Sequence, residues 1–348
     1  MTLKSVAERA GVSTATVSKV LSNTPYVSER TRSRVLQAVE DLGYVPNLAA
    51  RALSKGLTYI MGVVFPHNYD DLFADPLIVT IVNGVEAVCI ERGYNVLIST
   101  PHAPVGESEQ YQRLIHSGYW DGAIAIETLP GIPISTLLEQ YHYPWAALGY
   151  TSAVGTLNTI HPDDFAGAKA AATYLLQLGH RHIGILGVEE SELVAATPRL
   201  SGYAAAFEEN GLRFEDAPRV NGIFSIESGY QGVGELLSRS PRPTALLCLN
   251  DRMAMGAIHR VRNQGLRVPQ DVSVVGFDDI PGAAFFDPAL TTVSQPAHEM
   301  GVAAARHVFE MIDLRNLRAK NSPDAKFNPI VFPTQLIIRD SSGPPPLP

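Results

Sequence analysis

The chain has 348 residues and a formal net charge of -8, with 45% hydrophobic and 18% charged residues, a balance that predicts a globular protein of two or three domains. No run approaches the roughly 18 apolar residues of a membrane span, and the N-terminus carries no apolar signal region, so the expected compartment is the cytoplasm. Cys89 and Cys248 are the only cysteines, each in an apolar segment, as expected of reduced core thiols.

Charge is unevenly spread. Residues 1–58 hold eight Lys and Arg against four Asp and Glu, or +4, whereas the remainder holds 19 against 31, or -12. A basic head on an acidic body concentrates phosphate attraction at one end. The head opens with TLKSVAERAGVSTATVSKVLS, residues 2–22, which reads as two short helices around a glycine turn. Thr2 caps the first, with Leu3, Val6, Ala7 and Ala10 inward; Gly11 ends it and Ser13 caps the second. Val17, Val20 and Leu21 then turn inward and leave Thr14, Ala15, Ser18 and Lys19 outward, small polar groups and one cation that suit a major groove. On this stretch alone a plain amphipathic hairpin is the competing reading. Ser28 caps a third helix, ERTRSRVLQAVEDLG, with Val35, Leu36, Val39 and Leu42 inward and Gly43 as its stop. These elements define an all-α helix-turn-helix domain at residues 1–45.

In YVPNLAARALSKG, Pro46 ends one element and Asn47 caps another. The candidate helix from Leu48 to Ser54 is about two turns long, well below the ~12–15 residues at which an isolated helix becomes even marginal. Ala49, Ala50 and Ala52 form a small-residue surface suited to a second copy, and Leu53 projects as an apolar wedge. A hinge helix and an ordinary linker, at 46–58, both fit these residues.

The stretches LKSVAERAGVSTATVSKVLS, VSERTRSRV, LGYVPN and AARALS, in this order and spacing, closely resemble the DNA-binding head and hinge of the LacI/GalR family of bacterial transcription regulators. The resemblance implies a homodimer whose two heads bind a near-palindromic operator, while the hinge helices order together in the minor groove and Leu53 enters the central base step. It places Thr14, Ala15 and Lys19 at base edges and Tyr26, Val27 and Arg51 near the DNA backbone or hinge. With Thr2, Thr16, Ser18, Asn47 and Leu53 these make up the expected DNA-binding set. Many relatives carry arginine where Lys19 stands, and lysine lacks the flat fork that grips guanine at two points.

From Thr58 onward, apolar strands such as YIMGVVF, YNVLIST, DGAIAIE and PWAALG alternate with helical stretches. The pattern restarts through TLNTI, HIGILGV, TALLCLN and VSVVGFDD. Continuous apolar strands with crossover helices predict two α/β subdomains with parallel sheets, whose ligands sit beyond the carboxyl ends of the strands. Asn250, Asp251, Asp278 and Asp279 fall at such ends, and Arg199 begins a helix after another. For Asp251 and Asp279 the favoured reading is helix capping.

The family resemblance continues through LGHRHIGILG, PRLSGY, ALLCLNDRMAMGAI, VSVVGFDD and LTTVSQP. It implies two periplasmic-binding-protein-like (type I) subdomains crossed three times by the chain, here at about 59–160 plus 292–323 and about 161–291 plus 324–340, with a small effector, a sugar or related metabolite, in the cleft. By position it assigns Arg199, Asn250 and Asp278 as polar ligand contacts, Phe224 as a stacking aromatic and Gln295 as a further contact. Leu72 and Phe73 stand as an apolar wall. Relatives often carry a polar residue where this chain has Gly149, and Glu127 is the candidate substitute.

The tail, 341–348, is proline-rich and is expected to be extended and mobile. It carries no leucine heptad, which points to a dimer rather than a four-chain assembly. An enzyme is disfavoured: the chain has no phosphate-loop, nucleophile-elbow or His-Glu-x-x-His pattern, and GYQGVGELL lacks the last glycine of a dinucleotide fingerprint. No cofactor is expected, and His180 and His182 are read as structural rather than as metal ligands. A secreted sugar-binding protein shares the body fold, but the missing export signal and the basic head oppose it.

Overall fold

A computed structural model describes residues 1–21, 25–44, 56–65, 72–100, 107–126, 134–149, 158–187, 195–317 and 327–347. The chain divides into two units, Met1–Thr58 and Tyr59–Pro348. In the first, α1 (Leu3–Ala10), α2 (Thr14–Leu21) and α3 (Glu29–Asp41) enclose a small core of Val6, Ala7, Ala10, Val17, Val20, Val35 and Ala38. The Ser5 N–H donates to the Thr2 hydroxyl at 3.3 Å, Gly11 takes the left-handed conformation at φ 61°, and the Thr16 N–H donates to Ser13 Oγ at 3.2 Å. Arg34 donates to the carbonyls of Ala10 and Gly11, two of the groups that the end of α1 leaves without helical partners. Leu36, expected inward, is instead 49% exposed, because the seam of α3 runs through Val35 and Ala38, one helical turn apart.

The second unit holds two parallel sheets. The first is ordered β11-β5-β4-β3-β1-β2, comprising β1 (Ile60–Val64), β2 (Asn95–Ser99), β3 (Gly122–Ile126), β4 (Trp145–Leu148), β5 (Thr159–Pro162) and β11 (Ile330–Phe332). Among its crossover elements are α4 (Pro76–Arg92), α5 (Glu107–Ser117) and α6 (Ile134–Gln140), and α11 (Ala297–Leu317) packs against α4, β3 and β4. Helix α11 is absent from the sequence expectations, although Met300, Ala304, Val308, Met311 and Ile312 repeat at helical spacing and are all buried.

The second sheet is ordered β7-β6-β8-β9, with β6 (Ile183–Gly187), β7 (Arg219–Asn221), β8 (Ala245–Cys248) and β9 (Ser273–Val275). Helix α7 (Asp164–Gln177) packs on α8 (Ala196–Glu209), and α9 (Ile226–Leu237) packs on α10 (Asp251–Asn263). β10 (Thr292–Ser294) and β12 (Gln335–Ile337) form an antiparallel pair, and bridges from Val275 to Thr291 and from Asp278 to Ser294 tie β10 to the second sheet.

Two crossings therefore differ from expectation. The second falls after Ser294 rather than at 292. The third falls after Phe332 rather than at 324, since β11 pairs in parallel with β5 of the first sheet. Both sites involve three-residue strands, too short to show a hydrophobic period.

The tail also departs from expectation. Ser341 is fully buried: Thr291 N–H donates to its hydroxyl at 2.8 Å, and that hydroxyl donates to the Val274 carbonyl at 2.6 Å. The Gly343 carbonyl accepts from His180 Nε2 and Ser273 Oγ at 2.8 and 3.0 Å, so a strap rather than a mobile tail closes the second subdomain. His180, with no exposed surface and its Nδ1 on Thr244 Oγ1 at 2.8 Å, is a structural histidine whose burial lowers its pKa. Cys89 and Cys248 are buried free thiols, each with a pKa raised by desolvation.

Helices α4 and α11 approach so closely that a Cβ on Gly84 would lie 2.1 Å from the His298 carbonyl oxygen, and one on Gly301 2.2 Å from that of Ile81. Alanine ordinarily stabilises a helix over glycine by about 1 kcal/mol. Here Gly84→Ala is expected to destabilise by roughly 1–3 kcal/mol through overpacking. A lowered urea midpoint checks this, and a raised one would refute the packing.

A second expectation concerns Asp251, a fully buried residue in the first turn of α10. Its carboxylate accepts the Ile280 N–H at 2.9 Å and the Thr292 hydroxyl proton. Desolvation pushes its pKa up from 3.8 to about 7. The folded state thus holds a proton that the unfolded chain has released, so the contribution is complete below about pH 4 and lost as pH rises through 7. Asp251→Asn should flatten the fall in unfolding free energy between pH 5 and 7, by up to about 1.4 kcal/mol per pH unit; parallel wild-type and variant profiles would contradict it.

Candidate nucleic-acid interface and ligand cleft

In the head, Thr14, Ala15, Ser18 and Lys19 are exposed along α2, while Val17 and Val20 anchor the opposite side in the core. Two expected DNA contacts are otherwise occupied. Thr16 is half-buried with its hydroxyl on Ser13 Oγ at 2.9 Å, and Val27 is half-buried against the head core. The Thr2 hydroxyl caps α1, and Tyr26 is fully exposed with a left-handed φ of 80°. Asn47, Arg51 and Leu53 lie outside the described residues, as does Glu127.

In the body, the carboxyl ends of both sheets meet at a cavity of about 100 Å³. Its two sides differ in chemistry. The first subdomain contributes Leu77, Ile78 and Ile81 from α4, Ile126 and Leu148 from strand ends, and Met300 from α11, with Asp75 at the cap of α4 as its one acidic residue. The second contributes Arg199, Phe224, Asn250, Asp278 and, at the crossings, Asp164 and Gln295. Gly149 also lines it, with a backbone φ of 104° and no side chain to offer. The expected wall of Leu72 and Phe73 is not there. Leu72 is buried in a short 3₁₀ turn and Phe73 is 72% exposed, neither lining the cavity, and Asp75 caps α4 so that the helix supplies the apolar wall instead.

Arg199 organises the polar side. Its Nε donates to Asp164 Oδ1 at 2.7 Å, its Nη1 to the Leu249 carbonyl at 2.5 Å, and its Nη2 lies 3.3 Å from Asp278 Oδ1. Its guanidinium also covers the Phe277 ring at 3.7 Å from the centroid. All three charged residues are buried. Burial alone disfavours the arginine's charge, but Asp164 and Asp278 more than offset it and its pKa rises. Desolvation raises both carboxyl pKa values against the pull of Arg199, that of Asp278 well above the ordinary range. Gln295 Nε2 completes the cluster, donating to Asp278 Oδ1 at 2.6 Å.

Asn250 is the cap of α10: its Oδ1 accepts the Met253 N–H at 2.9 Å, and its Nδ2 donates to the Phe224 carbonyl at 3.3 Å. The capping role expected of Asp251 thus belongs to its neighbour, and Asp279 pairs with Arg339 at 2.7 Å rather than capping a helix. Phe224, half-buried at a positive φ of 56°, lines the cavity with Arg199, Asn250, Asp278 and Gln295. Asp164 and the pair of buried Asp75 with half-buried Arg252, at 3.2 Å, are absent from the sequence expectations. In sequence both aspartates resemble ordinary residues at helix starts. Among the described residues no His, Cys, Asp and Glu group is arranged to hold a metal, and no helix is long and apolar enough to cross a membrane.

Comparison with known proteins bears on both regions. Residues 2–47 match the family of bacterial regulatory proteins, lacI family, and residues 172–342 match a periplasmic binding protein-like domain. The HTH-type transcriptional repressor PurR of Salmonella typhi is 36% identical over 314 residues, covering 89% of this chain and 90% of that protein. The solved lac repressor dimer bound to operator and the anti-inducer ONPF is similar with a TM-score of 0.84 and 28% identity, covering 99% of each chain. The CelR–cellobiose complex gives a TM-score of 0.73 and 30% identity over 98% of this chain and 99% of that one. With a helix-turn-helix head and a two-subdomain body, this chain belongs to the lacI family of bacterial regulatory proteins and is a DNA-binding transcriptional regulator rather than an enzyme.

Proposed function

We propose that the protein is a cytoplasmic repressor that binds a near-palindromic operator as a homodimer and is controlled by a small sugar or related metabolite in the cleft. The observation that carries this reading is the division of the cleft. One subdomain lends it a wall that is apolar apart from Asp75 and the other a buried polar cluster, so a ligand satisfying both changes how the two subdomains meet. The PurR relative is a repressor, and the CelR and lac repressor structures hold ligands, which supports the assignment by likeness.

On DNA, Thr14, Ala15, Ser18 and Lys19 read the major groove, and Thr2 and Tyr26 lie near the phosphates. Residues 46–58, too short to hold a helix alone, order when two copies meet, with Asn47 as cap, Arg51 on the backbone and Leu53 as the wedge. The effector controls that ordering through the angle between the subdomains.

Selection from random duplexes with the full chain should return a near-palindromic site. Lys19→Ala should weaken binding to that site by about 5- to 100-fold, with relaxed preference at the bases it meets. Leu53→Ala should reduce both affinity and DNA bending, seen as a change in gel mobility, while ligand affinity stays nearly intact; unchanged bending and affinity would remove the wedge role.

In the cleft, Asp278→Ala should abolish the effector response and retain operator binding, as measured by fluorescence anisotropy. A response that survives in this variant places the effector elsewhere.

A further inference from the structure

The second subdomain holds a pocket that neither the cleft nor the DNA-reading head uses. It lies at the amino ends of the strands, whereas the cleft lies at their carboxyl ends, and the turns that follow α7, α8 and α9 converge on it. Its volume is about 440 Å³, against about 100 Å³ for the cleft, which is enough for a small metabolite. The floor is apolar, made by Ile183 of β6, Phe207 of α8, and Leu212 and Pro218 from the connection to β7. Phe207 is braced from behind by Phe214, edge to face at 5.7 Å between ring centroids. The rim is basic, made by Arg181, His182, Arg213 and Arg239, and Asp216 is the only acid among the described residues that line the pocket.

Cations near helix carboxyl ends ordinarily serve the last carbonyls, and Arg181 does so with one nitrogen only. Its Nη1 donates to the carbonyls of Leu176 and His180, both at 2.9 Å. That anchors the guanidinium and leaves Nε and Nη2 without a hydrogen-bond partner among the described residues. These two nitrogens form one edge of the fork, the edge that grips two oxygens of a phosphate or carboxylate at once. The His182 ring is exposed and has no partner among the described residues either. Arg213 stays 3.9 Å from both Glu215 and Asp216, too far for a hydrogen bond, and Arg239 is held by Glu235 at 2.5 Å. Glu215 and Glu235 thus offset Arg213 and Arg239 from outside the lining, and Arg181 is the rim arginine with no carboxylate partner among the described residues.

We propose that this pocket is a separate binding site for a small organic phosphate. The phosphate takes the free edge of Arg181, His182 and Arg213 add donors around it, and the ring of the ligand lies over Phe207, Leu212 and Pro218. A phosphate is favoured over a carboxylate because its three terminal oxygens can meet all three donors together, whereas two oxygens are filled by Arg181 alone. Cleft and pocket sit at opposite ends of the same strands, so both can be filled at once.

The test is calorimetry and thermal shift on the full chain at fixed ionic strength, with AMP, glucose 6-phosphate and ribose 5-phosphate against adenosine, glucose, ribose and inorganic phosphate. Every probe is repeated on Asp278→Ala, in which the cleft is altered and the pocket is not. Expected is binding of at least one organic phosphate to both wild type and Asp278→Ala, more tightly than inorganic phosphate and than its own unphosphorylated form on Asp278→Ala. Arg181→Ala should weaken that binding by about tenfold or more. Because Arg181 also holds a helix end, His182→Ala and Arg213→Ala, both at exposed positions, are measured beside it and should each weaken binding by about three- to tenfold while operator affinity stays unchanged. The proposal is overturned if no organic phosphate binds, if binding disappears in Asp278→Ala and so belongs to the cleft, if it survives intact in His182→Ala and Arg213→Ala, or if inorganic phosphate binds as tightly as every organic phosphate. None of these outcomes bears on the cleft as the effector site, which the response of Asp278→Ala tests separately.

Discussion

One guanidinium held between two buried carboxyl groups organises the body of this regulator. Breaking a buried ion pair costs about 3–5 kcal/mol because it strands a charge in a medium that solvates it poorly. The Arg199 cluster therefore fixes the elements that present it. Asp164 begins the helix just past the first crossing, and Asp278 is bridged to Ser294 and bonded to Gln295 at the second. The third crossing is tied to the first, where Asp163 N–H meets the Phe332 carbonyl at 2.8 Å and the Thr334 hydroxyl meets the Asp163 carbonyl at 2.9 Å. Polar groups that line the cavity are thus fastened to the segments at which the chain crosses between the subdomains.

The opposite wall has a different physical character. Leu77, Ile78 and Ile81 lie on α4, which is locked to α11 through contacts that tolerate only glycine at 84 and 301. That pair of helices packs as one block, and apolar contact is indifferent to small sliding.

Much of this was legible in the sequence, for reasons that differ by element. The helix-turn-helix was readable because caps, the Gly11 turn and an apolar seam occur together within 21 residues, and strands such as Gly122–Ile126 because an unbroken apolar run fits only a strand covered on both faces. Arg199, Asn250, Asp278, Phe224 and Gln295 reached the cavity as positions in a resemblance, and their bonding came only from the fold. Asn250 is both wall and cap, which no spacing reveals. Strands of three residues, Arg219–Asn221, Ile330–Phe332 and Gln335–Ile337, carry too little pattern, and two of them set the last crossing. Asp164 and Asp75 were illegible because a carboxylate beside a helix start resembles a cap until its depth is known. Leu36 and Phe73 show the converse: apolar character predicts burial only when period and turn agree.

The strap at Ser341–Gly343 bears on how such a chain is made. Its partners Val274, Thr291, Ser273 and His180 all precede it by at least 50 residues, and β11 comparably completes a sheet begun at Ile60. The first subdomain is not finished until Ile330–Phe332, nor the second until Ser341–Gly343, has left the ribosome, whereas the head, built from local contacts, is complete almost at once. During synthesis a cell would thus hold nascent chains with a finished DNA-reading module and an unfinished sensor.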